Sequence, residues 1–78
     1  MNVPFTDPHV TTLYFIVREE ESLIDESQRH AISLLGKLTG RGNRDAEKAM
    51  KMLVTAPRLH PLLREQLEEL IKGNEPIE

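Results

Sequence analysis

Residues 9–35 contain neither proline nor glycine, and apolar side chains recur along them with helical spacing. This stretch, opened by Pro8 and followed by Gly36 and Gly40, constrains the fold more than any other feature. A proline at the first helical position loses nothing, because its missing N–H is one of the groups a helix start leaves unbonded. Asp7, just before it, can accept from the free N–H groups of the first turn. At about 100° per residue, Val10, Leu13, Tyr14, Ile16, Val17, Leu23, Ile24, Ala31, Ile32, Leu34, Leu35 and Leu38 share one broad side. Phe15 falls outside that sector. It either packs with Phe5 under the N-terminal arm or offers an exposed apolar spot to another protein.

The segment VTTLYFIV, rich in β-branched and aromatic residues, would suit a strand if read alone. It does not alternate, so helix is favoured. Glu19, Glu20, Glu21 and Ser22 interrupt the apolar phase, and Ser22 with Asp25 resembles a capping box. The stretch is therefore either one helix over 8–39 or a bent pair with a second start near Ser22. Gly40 is expected to end it in the left-handed conformation, with Gly42 permitting the turn. Asn43 then caps a second helix, RDAEKAMKMLVTA, that Pro57 stops, with an apolar stripe of Ala46, Ala49, Met50 and Leu53. Met50 and Met52 flank opposite sides of it. Pro61 opens a last helix, closed by Gly73, with Leu63, Leu67, Leu70 and Ile71 as its buried edge.

The fold class expected is all-α: one long N-terminal helix, continuous or kinked, followed by two short helices. Residues 1–78 form a single domain, with 1–7 as an arm and 74–78 as a flexible tail. A 78-residue chain buries only about 60% of its unfolded surface. Cysteine is absent, so neither disulfides nor thiolate-held metals can reinforce the core. A continuous 8–39 helix would also be about 48 Å long, more than two short helices can cover. A homodimer that completes a helical bundle follows as the expectation.

The net charge of −3 conceals a segregated layout. Residues 1–35 carry two basic and six acidic side chains, residues 36–64 seven basic and two acidic, and residues 65–78 one basic and five acidic. Arg44, Lys48 and Lys51 align opposite the apolar stripe of their helix, with Thr55 continuing the row. Lys37 and Arg41 extend the basic surface toward the preceding turn. The loop GRGNR stands before a helix start, where free N–H groups attract anions. It lacks the G-x-x-x-x-G-K-[ST] spacing of a phosphate loop, and reads as a hinge first and an anion site second. The overall acidity also weighs against a nucleic-acid site.

Catalysis is not expected. His9, His30 and His60 have no partner at helical spacing, and His60 caps or flanks the last helix. The EEE run with Asp25 and Glu26 reads as a solvated acidic face rather than a magnesium site, since converging acids from other helices are wanting. No metal or cofactor is expected. No apolar run reaches the roughly 18 residues of a membrane span, and MNVPFTDP lacks the pattern of a secretory signal, so the reading is cytoplasmic.

The leading expectation is a small interaction protein acting through protein–protein contacts, as a regulator, inhibitor or adaptor. Leu13, Phe15, Ile16, Val17, Leu23 and Ile24 are the candidate dimer or partner interface. The alternative is a dimeric nucleic-acid-binding protein using the basic face at about 44–56, with Lys37, Arg41, Arg44, Lys48 and Lys51 on phosphates or base edges.

Overall fold

The computed structural model describes residues 5–19 and 23–73, and every regular element among them is a helix. In chain order these are α1 (Pro8–Glu19), α2 (Glu26–Gly40), α3 (Arg44–Val54) and α4 (Pro61–Gly73). The Ser22 capping box, most of the EEE run, the start of the arm and the tail lie outside the described residues.

α1 begins as its sequence implies. The Asp7 carboxylate accepts from His9 N at 2.9 Å, and the Asp7 carbonyl accepts from Thr11 N. VTTLYFIV is helical throughout. The stretch over 8–39, expected either as one helix or as a bent pair restarting near Ser22, is two helices, the second beginning at Glu26. Asp25, in extended geometry, caps the second by accepting from Ser27 N at 2.6 Å. A local cap of this kind satisfies a donor that a continuous helix would have bonded internally, and so favours a fresh start. α2 then runs back along α1. Gln28 in its first turns is 1% exposed, and its Nε2 donates to the Val17 carbonyl near the end of α1 at 3.0 Å.

This reversal removes the 48 Å helix, and the largest extent of the molecule is 35 Å. The two halves of the long apolar stripe now cover each other. Val10, Leu13, Tyr14 and Val17 share one buried cluster with Ala31, Ile32 and Leu35. The reason given for a second copy therefore falls away.

The left-handed residue after α2 is Gly42, at φ +92°, and not Gly40, which is the last residue of the helix. Asn43 N donates to Leu38 O and Gly42 N donates to Thr39 O, both at 2.9 Å. This pair of bonds is the Schellman pattern, which puts the left-handed residue two positions beyond the helix and gives the free carbonyls their donors.

α4 runs in the same direction as α2. Gln66 Nε2 donates to the Arg29 carbonyl and the Ser33 hydroxyl, and Leu70 lies against Gly36 one turn further on. A Cβ added at Gly36 would stand 3.0 Å from a Leu70 methyl, so the glycine is what admits the close approach. Among the described residues the backbones of α1 and α4 each pack beside α2 and not beside each other, and α3 packs against all three. It starts beside the first turn of α1 and ends against α4, where Arg64 donates to the Ala56 carbonyl. Ala46, Ala49, Met50 and Leu53 point inward and are buried, as the stripe implied. Leu63 and Leu67 anchor α4, with Leu70 and Ile71 half-buried beside them.

Candidate interaction surfaces

Two surfaces emerge from this packing, one basic and one apolar. The basic one is the outward side of α3. The inner side of α3 rests on the other three helices, and the opposite side is exposed among the described residues. Arg44, Lys48, Lys51 and Thr55 are all exposed there. Glu47 lies on the same side, paired with Lys51 at 3.0 Å, and Met52, 37% exposed, borders the row. Together these six residues line a depression of about 450 Å³. Arg41 caps the end of α2 just before this row and is exposed, while Lys37 is exposed on α2 and stands outside the row.

The start of α3 is organised by the chain's own carboxylates. Asp45 Oδ2 accepts from Thr6 N at 2.9 Å, Thr6 Oγ1 at 3.0 Å and Asp7 N at 2.8 Å. Asn43 caps the helix through Oδ1 to Ala46 N, and its Nδ2 donates to Asp7 Oδ2 at 3.2 Å. Hydrogen bonding from the Asp7 amide and from Thr6 holds the Asp45 carboxyl below its ordinary value of 3.8. Asp7 is lowered likewise, chiefly by Asn43 and then by the His9 amide. Carboxylates at a helix start complement its dipole. GRGNR is therefore a hinge whose helix start is already furnished with negative charge, and any further anion has to be met by the side chains along α3.

The apolar surface lies where α2 and α4 begin. Leu23 is 57% exposed and Ile24 is exposed beside it, in the connection leading to the Asp25 cap. Leu62, 51% exposed, stands in the first turn of α4, one turn before the Gln66 that reaches the early part of α2. Of the other residues expected at an interface, Leu13 and Val17 are buried in the chain's own core and Ile16 is half-buried against it. Phe15 is 37% exposed and meets the Tyr14 ring edge-on at 5.5 Å. Phe5, by contrast, is buried against Tyr14 at 5.1 Å, so the two phenylalanines have separate fates.

Sequence reasoning missed Leu62, Gln28 and the role of Asp45. Leu62 was detectable as a leucine out of phase with the Leu63/Leu67 stripe. Gln28 and Asp45 act across the fold, and nothing local to them signals it. His60 does cap α4, its Nδ1 accepting from Leu62 N at 3.2 Å. Among the described residues no group of three or more His, Asp or Glu could hold a metal ion, and no helix is long and apolar enough to cross a membrane. Neither a family model, nor a curated protein, nor a solved structure matches this chain.

Proposed function

We propose that this chain is a binding protein that regulates, inhibits or adapts another protein through the apolar end of the bundle. The observation that carries this reading is the exposure of Leu23, Ile24 and Leu62 where α2 and α4 begin, while fifteen apolar side chains among the described residues are buried in a single cluster. Burial of a leucine side chain is worth about 1.5–3 kcal/mol, so two half-exposed leucines and an isoleucine leave a substantial driving force unspent. Clustered apolar side chains on a small surface mark contact sites more often than singly scattered ones do. Phe15 extends the candidate contact along α1. The function requires no catalytic group, and none of the residues named here has a chemical task.

A second copy is the first partner to test, because two such ends can meet about a twofold axis. Light scattering and cross-linking of the wild type beside a Leu23→Ser/Leu62→Ser variant decide the matter. The expected result is a self-association or a captured protein that the variant loses while its melting temperature holds. A wild type that stays monomeric and cross-links to nothing the variant fails to reach would sink the proposal.

A further inference from the structure

We infer that the outward face of α3 is a docking surface for duplex nucleic acid, independent of the apolar end. Three observations converge. First, α3 follows α2 after a three-residue turn, Arg41–Asn43, that contains the one left-handed glycine, and it packs its inner side against the other three helices while Arg44, Glu47, Lys48, Lys51 and Thr55 remain exposed. A helix whose far side is lined by exposed side chains can lay that side against a groove. Second, Arg44, Lys48 and Lys51 stand exposed along that side, about 10 Å from first to last at 1.5 Å per residue, with Arg41 at its head. That length suits a major groove about 12 Å wide. Third, the acids of α4, Glu65, Glu68 and Glu69, are exposed on a different helix from the basic row, and Glu68 lines a separate depression with Val54, Ile71 and Lys72.

The charges that face this row are Glu47, on the row itself, and Asp45, beside Lys48 at the helix start. Asp45 is committed to Thr6 and Asp7. Glu47 is held only by Lys51, and both side chains are more than half exposed. An exposed pair of this kind is worth little, so a phosphate can displace the carboxylate from Lys51. The occupant that fits is an extended polyanion with regular charge spacing and a groove for a helix, which is a duplex. Arg41, Arg44, Lys48 and Lys51 each take one phosphate, and Thr55 offers a hydroxyl at the far end of the row.

The test is fluorescence anisotropy of a labelled mixed-sequence duplex of about 20 base pairs, titrated with the protein at two salt concentrations. Neutralising four phosphates predicts that affinity falls about a hundredfold between 50 and 200 mM salt. In Arg44→Ala/Lys48→Ala the same change in salt costs only about tenfold, and binding at the lower salt is weaker. Glu47→Gln tightens binding by removing the one acid in the row. Both changes are at exposed positions, and an unaltered melting temperature shows that the fold survives. The inference is overturned if the wild type shows no salt-dependent binding, if the double variant binds like the wild type, or if polyglutamate competes as well as unlabelled duplex. Leu23→Ser/Leu62→Ser is expected to bind the duplex normally, so failure here and failure of the apolar-end reading are separate results.

Discussion

The junction where α1 and α3 begin and the end where α2 and α4 begin solve the same problem in opposite ways. At the first, Thr6, Asp7, Asn43 and Asp45 trade four hydrogen bonds with one another, and Asn43 accepts a fifth from Ala46 N. At the second, Leu23, Ile24 and Leu62 stand in water, and each helix start is capped locally by Asp25 or His60. Polar bonds at an exposed junction fix geometry at modest energetic gain, since each replaces a bond to water. Exposed leucines do nothing for the isolated fold. The difference suggests a division of labour in which one junction holds the helices in place and the other is left available.

The largest expected effect strikes at the contrast from inside. Gln28 is the one buried polar side chain of the described residues, and it sits just beneath the apolar end. Gln28→Met keeps the volume but leaves the Val17 carbonyl without its Nε2 donor. We expect a loss of about 2 kcal/mol in urea unfolding, the cost of a buried acceptor left unbonded. A change under half that value would mean that the α1–α2 reversal is held by apolar packing alone.

Asn43→Ala tests the other junction. It removes the cap on Ala46 N and the bond to Asp7 together, with an expected loss of about 1–2 kcal/mol. Asn43→Asp keeps the cap acceptor but replaces the donor with a negative charge facing Asp7, and should fall between the two. Equal stability of Asn43→Ala and the wild type would remove the junction's claim to hold the fold.

Acid sharpens the comparison further. Asp7 and Asp45 have folded-state values below the ordinary 3.8, through hydrogen bonds their ionised forms accept. A lowered carboxyl value favours the folded state above the unfolded-state pKa, and that contribution disappears as pH falls through the lowered values. Thermal melts between pH 5 and pH 2 should therefore show a loss confined to pH below about 3.8. Asp45→Asn should flatten that decline and lower stability at neutral pH. An unchanged pH profile in Asp45→Asn would show that the clip contributes nothing.

Much of the local structure was legible in the sequence. Asp7, Asn43, Pro8, Pro61 and the α3 stripe act within a turn or two of themselves, where capping and periodicity rules operate. The polar interruption at residues 19–22 made a second helix start legible. The reversal of direction was not, because Ala31, Ile32 and Leu35 keep the apolar phase of Val10, Leu13 and Val17 on either side of that interruption. Leu23 and Ile24 satisfied that phase and were placed in the stripe, yet they lie in the connection and are exposed. The same continuity produced the long helix and, through it, the dimer expectation. The basic row of Arg44, Lys48 and Lys51 was readable from spacing. That its helix packs against all three others depends on contacts between distant segments that no window contains.

The smallest expected effect on stability bears most directly on the division of labour. Leu23→Ser/Leu62→Ser removes the two most exposed large apolar side chains among the described residues, neither of which packs in the core. Surface substitutions of this kind usually change stability by no more than about 0.5 kcal/mol. Urea unfolding of the variant should therefore overlay that of the wild type at high dilution. Raising the protein concentration should then separate them, with the wild type gaining stability through association and the variant not, because whatever binds only the folded form stabilises it by mass action. If the variant unfolds more readily at every concentration, the leucines belong to the fold after all, and the two ends of the molecule differ in appearance alone.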